Sequence, residues 1–126
     1  MKLEELQVYQ MTMDIAERIW RIVIRWNHFA RDTIGKQLMR AVDSVGANLS
    51  EGFGRFHYSE NKQFCYYARG SLYETRTWLI KAYNRGLIDE EVFQSLHSEI
   101  ERIGVKLNNY IKSIGRKQQM TINDHK

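Results

Sequence analysis

The sequence has no proline and only one cysteine among its 126 residues. Proline is common in the turns of loop-rich β proteins and is excluded from helix interiors, so its absence favours a chain built of long helices. A single cysteine excludes an internal disulfide, and it excludes a metal site made of several thiolates of one chain. The fold must therefore be stabilised by packing rather than by covalent cross-links.

Long apolar runs are missing as well. No uninterrupted run approaches the ~20 apolar residues that a membrane-spanning helix requires. The segment MKLEELQVYQ at the start of the sequence carries acidic side chains where a secretory signal has its apolar part. We therefore expect a cytoplasmic protein without a membrane partner.

The residues needed for a metal centre or an active site are sparse. No two histidines stand three or four residues apart, the spacing that directs two rings of a helix to one ion: they are His28, His57, His97 and His125. No nucleophile–base pair and no cofactor motif is recognisable. The sequence predicts no metal, no cofactor and no enzymatic activity.

What the sequence does have is a modest excess of positive charge. The sequence contains 19 lysines and arginines and 15 aspartates and glutamates, which gives a net charge of +4. Residues 1–63 hold nine of the cations and eight of the anions, so the excess is not a basic arm on one half. Such a surplus fits a nucleic-acid partner, but it is also typical of a solubilising surface.

Four segments carry apolar residues at helical spacing. They extend from Leu3 to Trp26, from Thr33 to Gly54, from Glu60 to Arg85 and from Glu90 to Gly115. Short connections between long amphipathic helices predict antiparallel neighbours. We predict an all-α, up-down-up-down four-helix bundle over residues 1–115 and a disordered polar tail over residues 116–126.

Polar residues and glycines mark the predicted helix ends. The stretch from Asn27 to Asp32 is polar and predicts a loop, with Asp32 or Thr33 capping the second helix. Ser59 is the predicted cap of the third helix and Asp89 that of the fourth. Gly86 and Gly115 are expected just beyond the ends of the third and fourth helices.

The first helix carries two adjacent apolar stripes, which make a face wider than one bundle contact requires. The stripes are Val8, Met11, Ile15, Ile19, Ile22 and Trp26, and Tyr9, Met13, Ala16, Trp20 and Val23. This helix is either deeply buried or packs part of its face against another subunit.

The stretch SVGANLSEGFGR, residues 44–55, holds three glycines and raises the question of a phosphate-binding loop. A P-loop has lysine and then serine or threonine after its second glycine, whereas Phe53 and Gly54 stand there. Apolar residues continue at helical spacing through the stretch, so we place Gly46 inside the second helix. Small residues such as Ser44 and Gly70 then let the second and third helices approach, and Gly52 and Gly54 release the chain into the turn.

Pairing the second and third helices around His57 brings several polar residues near one seam. Its predicted members are Arg40, Asn48, Glu51, Ser71 and Glu74. Because a buried carboxylate needs a partner, we expect Glu51 or Glu74 to pair with an arginine of this region. The alternative is acid–base chemistry by the two glutamates, which requires a pocket and a second group of complementary pKa.

Three blocks of the sequence resemble a known family. They are QLMRAVDSVGANLSEGFGR at residues 37–55, LQVYQ at residues 6–10 and ARGSLYET at residues 68–75. In this order they resemble the four-helix-bundle proteins encoded in intervening sequences of bacterial 23S ribosomal RNA genes, so-called 23S ribosomal RNA-associated proteins. The similarity spans roughly residues 3–114.

The resemblance implies a non-enzymatic bundle that assembles into a homo-oligomeric, often pentameric ring. The family is similar to the accessory protein of diversity-generating retroelements, which is implicated in binding nucleic acid and a reverse transcriptase. The implied partners of this chain are therefore copies of itself, RNA or DNA, and a reverse transcriptase-like protein.

Two functions fit these observations. The first is RNA or DNA binding by basic stripes, with base stacking by Phe56, His57 and Tyr58. The candidate contacts are Arg18, Arg21, Arg25, Arg55, Lys62, Arg69 and Arg76. Asp14 and Glu17 lie one turn from two of these arginines, so that stripe could instead be an ordinary salt-bridged face. The second function is an oligomeric protein-interaction adaptor that docks by apolar helix faces.

Overall fold

The computed structural model describes residues 1–116, and within this range the chain is helical and contains no β-strand. A single 3-10 turn, Leu3–Glu5, precedes the first long helix. The four long helices are α1 (Gln7–Val23), α2 (Lys36–Phe53), α3 (Tyr58–Asn84) and α4 (Glu90–Ser113). Apart from Arg116, the tail predicted for residues 116–126 lies outside the described residues.

The four helices pack as a bundle around one apolar core. Helices α2 and α3 make the most extensive contact, and α4 closes the bundle by packing against both α1 and α3. The most deeply buried side chains come from all four helices, among them Ile19, Leu49, Leu79 and Leu107. None of the helices within residues 1–116 combines the length and the apolarity that crossing a bilayer requires.

The loop predicted between the first and second helices is shorter than expected. Asn27 accepts a hydrogen bond from the backbone N–H of Ala30 at 3.0 Å and so caps a helical turn, His28–Ala30. A π-helical turn, Arg31–Gly35, leads on into α2. The predicted caps Asp32 and Thr33 are therefore wrong. Ala30 and Ile34 are both buried and stand four residues apart, which is a helical spacing. The polar residues between them made the segment resemble a loop in the sequence.

The other helix ends agree more closely with the sequence. Helix α3 begins at Tyr58, with His57 rather than the predicted Ser59 at the N-cap. Asp89 caps α4 as predicted, since its carboxylate accepts the N–H of Val92 at 2.8 Å. Gly86 and Gly115 have φ of +74° and +84°, the left-handed conformation expected just beyond a helix end.

Replacing Asp89 with alanine should destabilise the protein by about 1 kcal/mol, because the start of α4 loses its side-chain acceptor. Asp89→Asn should retain most of that stability, since asparagine caps almost equally well. Urea unfolding followed by circular dichroism measures both variants. Equal stability of the alanine variant and the wild type would contradict the capping role.

The glycine-rich stretch is helical, as predicted, but its glycines serve different contacts from those expected. A Cβ at Gly46 would stand 3.3 Å from Thr12 Oγ1, so Gly46 faces α1 rather than α3. A Cβ at Gly52 would stand 2.9 Å from Phe64 Cβ and 3.0 Å from the Asn61 carbonyl oxygen. Gly52 thus lets α3 approach α2 and does not release the chain into the turn. A Cβ at Gly70 would meet no atom within 4 Å, so this glycine makes no small-residue contact with α2.

Candidate nucleic-acid interface

Three of the arginines singled out in the sequence meet on one surface. Arg18, Arg21 and Arg25 line a shallow depression at the C-terminal part of α1, together with Ile22, Trp26 and Leu87. No carboxylate lines this depression. We call the four residues Arg18, Arg21, Arg25 and Trp26 the α1 basic surface. Arg18 and Arg21 stand one turn apart on α1, and Arg25 follows in the turn beyond Val23, so the three guanidinium groups share a face.

The arginines of the α1 basic surface are not neutralised by the neighbouring acidic residues. Arg18 donates a hydrogen bond to Ser95 Oγ at 2.8 Å, which anchors it to α4. Within residues 1–116, none of the three arginines forms an ion pair, and in particular none pairs with Asp14 or Glu17. The salt-bridged alternative for this stripe is therefore not what the structure contains. Its charge is available to an outside anion.

Arg69 and Arg76 lie elsewhere, in a groove between α3 and α4. Arg69 donates to Asn108 Oδ1 at 3.2 Å, and its guanidinium carbon stands 4.9 Å from the centre of the Tyr66 ring. Arg76 lies 3.8 Å from Glu101 Oε1. Both side chains are thus held by neighbours of their own subunit. We call this the α3/α4 groove; it is lined by Arg69, Leu72, Tyr73, Arg76, Ile100, Glu101, Gly104, Val105 and Asn108.

The remaining two predicted cations lie near the turn between α2 and α3. Arg55 pairs with Glu51 at 2.6 Å and with Glu60 at 3.7 Å, and its guanidinium lies 4.8 Å from the centre of the Phe64 ring. Lys62 is half-buried on α3. The seven cations therefore fall into three separate places rather than one continuous stripe.

The five residues predicted to form a polar seam do not come together. Arg40, Glu51 and Glu74 are exposed. Glu51 does pair with an arginine, but with Arg55 of its own helix and at the surface. Glu74 accepts a hydrogen bond from Trp78 Nε1 at 3.4 Å.

Asn48 and Ser71, the other two seam residues, are half-buried and bonded within their own helices. Asn48 donates to the Ser44 carbonyl at 2.9 Å, and the Ser71 carbonyl accepts from Thr75 at 2.8 Å. The hairpin register predicted which helices face each other, but not which way each side chain points. The two glutamates of the acid–base alternative contact different neighbours, Arg55 for Glu51 and Trp78 for Glu74.

Two phenylalanines are strongly exposed, at opposite ends of the bundle. Phe56, which the sequence suggested for base stacking, is 92% exposed and lies edge-on to His57. Phe29 is 76% exposed and follows the α1 basic surface in the chain, in the short helical turn capped by Asn27. Sequence reasoning missed Phe29 because it placed this residue in a polar loop. The sequence feature that could have indicated a role for Phe29 is its position between two cations, Arg25 and Arg31.

A second exposed surface is apolar and lies along α1 and α2. Met13, Trp20 and Ile24 of α1 are 45%, 50% and 43% exposed. Trp20 and Ile24 border a depression that Met39 and Asp43 of α2 also line, together with the cations Arg31, Lys36 and Arg40. We call Met13, Trp20, Ile24 and Met39, with the neighbouring carboxylates Glu17 and Asp43, the α1/α2 patch. Met13 and Trp20 belong to the second apolar stripe predicted for the first helix.

Burial shifts the proton affinity of three side chains. It raises the pKa of the Cys65 thiol to about 11, so this thiol stays protonated at neutral pH. Burial also raises the pKa of Tyr110, which is hydrogen-bonded to Asn61. The pKa of Asp43 is raised by burial and then by the negative charge of Glu17 on α1.

The fold and its surfaces define an all-α helical-bundle protein with a basic surface at the end of α1 and an exposed apolar patch along α1 and α2. The chain belongs to the 23S rRNA-intervening sequence protein family, whose model matches residues 4–109. The resemblance seen in the sequence is thereby confirmed. No curated protein matches this sequence closely enough to count as a relative.

Several solved chains match this one, and one of them serves as an example. It is the crystal structure of a protein of unknown function from the S23 ribosomal protein family of Bacteroides thetaiotaomicron VPI-5482. The two chains are 22% identical and superpose with a TM-score of 0.75, covering 84% of this chain and 99% of that one. At this identity the similarity establishes the shared fold.

Proposed function

We propose that the protein is a non-enzymatic, self-associating helical bundle that binds RNA through the α1 basic surface. The observation that carries the proposal is the depression lined by Arg18, Arg21 and Arg25, in which no carboxylate takes part. Three guanidinium groups at this spacing can engage successive phosphates, and binding then gains free energy from the release of counterions. Trp26 places an aromatic ring beside these charges, and the exposed Phe29 follows in the next helical turn of the chain.

Membership of a family encoded within 23S ribosomal RNA genes favours RNA over DNA as the first ligand to test. The proposal that the protein is not an enzyme rests on the environment of the reactive side chains among the described residues. The one thiol is buried with a raised pKa, and the glycine-rich stretch is a packed helix. Glu51 and Glu74 are engaged by different neighbours, Arg55 and Trp78.

Fluorescence polarisation of a labelled structured RNA, titrated with the protein at several salt concentrations, tests the RNA proposal. If three phosphates are engaged, log K should fall against log salt with a slope of about −2 to −3. A DNA duplex of the same length, added as a competitor, tests whether the protein prefers RNA to DNA. Absence of binding at low salt would refute the proposal, and a flat salt dependence would refute the role of the phosphates.

The proposed topology is an up-down-up-down bundle that assembles into a ring. Contacts that run in opposite order along neighbouring helices support the topology: Arg76 with Glu101 and Tyr83 with Phe93 for α3 and α4. The α1/α2 patch supports self-association, since exposed apolar patches mark interaction sites. A pentamer is the assembly that the family resemblance implies. Light scattering should give a multiple of 15.0 kDa, whereas a 15.0 kDa species at micromolar concentration would refute self-association.

The α1/α2 patch also favours a second candidate function, an oligomeric adaptor without a nucleic-acid role. Trp20 is half exposed, and large exposed aromatic residues are typical anchors of protein interfaces. The reverse transcriptase-like partner implied by the resemblance belongs to this candidate. An assembled protein that fails to bind RNA at low salt would favour the adaptor.

A further inference from the structure

A second group of cations surrounds the exposed tryptophan of the α1/α2 patch. Arg31, Lys36 and Arg40 line the depression beside Trp20, with Asp43 as the one carboxylate of its lining. The three cations are exposed, and none of them forms an ion pair within residues 1–116. Lys36 and Arg40 stand one turn apart on α2, which places them on one face. We define the Trp20 depression by these side chains: Trp20, Ile24, Arg31, Lys36, Met39, Arg40 and Asp43.

The Trp20 depression and the α1 basic surface lie side by side on α1. Trp20 and Ile24 line the first, whereas Arg21 and Arg25, each one residue further along the chain, line the second. One residue turns the chain about 100° around a helix axis, so the two pairs occupy neighbouring faces. Ile24 continues the helical turn beyond Val23, since its N–H donates to the Trp20 carbonyl at 3.0 Å. Because the four side chains are exposed, an extended ligand can pass from one surface to the other across α1.

Exposed aromatic rings accompany the cations. Trp20 is 50% exposed, and Phe29, which is 76% exposed, belongs to the short helical turn that precedes Arg31. An RNA duplex keeps its bases paired and is recognised mainly by its shape, its phosphates and its 2′-hydroxyls. Unpaired bases, in contrast, stack on aromatic side chains. Exposed rings beside cations therefore favour a single-stranded segment of RNA over a duplex.

We propose that an unpaired RNA segment bound at the α1 basic surface crosses α1 into the Trp20 depression, where Trp20 stacks on a base and where Arg31, Lys36 and Arg40 bind phosphates. This inference rests on the proposed function and deepens it. It names the ligand as single-stranded RNA, and it adds four contact residues from α1, from α2 and from the connection between these helices.

Two carboxylates mark where this RNA path ends. Glu17 stands one turn before Trp20 on α1, and Asp43 stands one turn after Arg40 on α2. Both lie on the side of the depression remote from Phe29, and their charge repels phosphate. A second copy of the chain is the competing occupant of the exposed apolar side chains. The three cations favour a polyanion over another copy, whose own net charge is +4.

Fluorescence polarisation with a labelled single-stranded RNA, and with the same strand annealed to its complement, tests the stacking role of Trp20. Trp20→Leu should weaken single-strand binding by about 10-fold, because one stacked base is lost, and should weaken duplex binding much less. Trp20→Phe should retain most of the single-strand affinity, since phenylalanine also stacks.

Phe56→Leu is the matched control for Trp20→Leu, because Phe56 is a 92% exposed aromatic residue at the opposite end of the bundle. This variant should bind the single strand as the wild type does. Equal losses of single-strand and duplex affinity in Trp20→Leu would overturn the stacking role. Equal single-strand affinity of Trp20→Leu and Phe56→Leu would overturn it as well.

Lys36→Glu with Arg40→Glu tests the phosphate contacts without changing an aromatic ring. The slope of log K against log salt for the single strand should become shallower by about 1 to 2. Arg102→Glu with Lys106→Glu is the matched control, since these exposed cations also stand one turn apart but lie on α4. Circular dichroism verifies that each variant is helical. The same slope in the Lys36→Glu/Arg40→Glu variant as in the wild type would overturn the phosphate contacts.

These outcomes separate the inference from the proposed function. A wild type that binds neither RNA refutes both. A wild type that binds, and that loses affinity on Arg21→Glu/Arg25→Glu but not on changes in the Trp20 depression, refutes only the inference. Light scattering of the same samples identifies the competing occupant. If the wild type is assembled and the Trp20→Leu variant both loses RNA affinity and shifts to 15.0 kDa, the depression is a subunit interface and the inference is overturned.

Discussion

Replacing Gly52 with alanine should lower the free energy of unfolding by about 2 kcal/mol, whereas the same change at Gly70 should raise it by about 0.5–1 kcal/mol. Both glycines are in helices, so alanine gains the same intrinsic helix propensity at each position. At Gly52 the new Cβ would stand 3.0 Å from the Asn61 carbonyl oxygen and 2.9 Å from Phe64 Cβ. Neither atom is the end of a flexible side chain, so α2 and α3 would have to move apart.

Gly70 is the matched control because a Cβ there meets no atom within 4 Å. Urea unfolding at one protein concentration, followed by circular dichroism, measures both variants, since self-association would make the midpoint depend on concentration. The two substitutions should change the free energy of unfolding in opposite directions. A stabilising Gly52→Ala substitution would contradict the close approach of α2 and α3.

Reversing the charges of Arg21 and Arg25 should weaken RNA binding by about 100-fold or more. Hydrogen bonds to charged groups contribute roughly 1.5–3 kcal/mol each, so the loss of two contacts already predicts this factor. The two glutamates of Arg21→Glu/Arg25→Glu would also repel phosphate. The slope of log K against log salt should become shallower by about 2. Both arginines are exposed, so the fold should be unaffected.

Arg102→Glu with Lys106→Glu is the matched control for net charge. These two exposed cations also stand one turn apart, but on α4 and away from the α1 basic surface. The control should lose far less affinity than the α1 variant. Equal losses in the two variants would show that net charge, rather than the α1 basic surface, determines binding.

The sequence predicted the fold well where one helix determines the outcome. The spacing of Arg18, Arg21 and Arg25 was enough to place three side chains on one face, and the structure does bring them together. Asp89 and Gly86 were also correctly placed at helix ends, because their roles depend only on local backbone geometry. The helical course of the chain through Gly46 followed from apolar periodicity alone.

Relations between helices were harder to predict, because a rotation by one residue turns a side chain about 100° around the helix axis. Glu51 and Glu74 were expected at a buried seam but point outwards. Arg76 acquires Glu101 from α4, a partner that no pattern within α3 reveals. Phe29 was missed for a different reason, since the π-helical turn after it carries polar residues typical of a loop.

The most direct test of where RNA binds on this bundle is photo-crosslinking of a structured RNA to the wild-type protein. Mass spectrometry then identifies the crosslinked peptides. Crosslinks should concentrate in the segment from Arg18 to Phe29, with Trp26 and Phe29 as the aromatic acceptors. Crosslinks confined to Phe56–Tyr58 at the opposite end, or an even scatter over the surface, would contradict the assignment of RNA binding to α1.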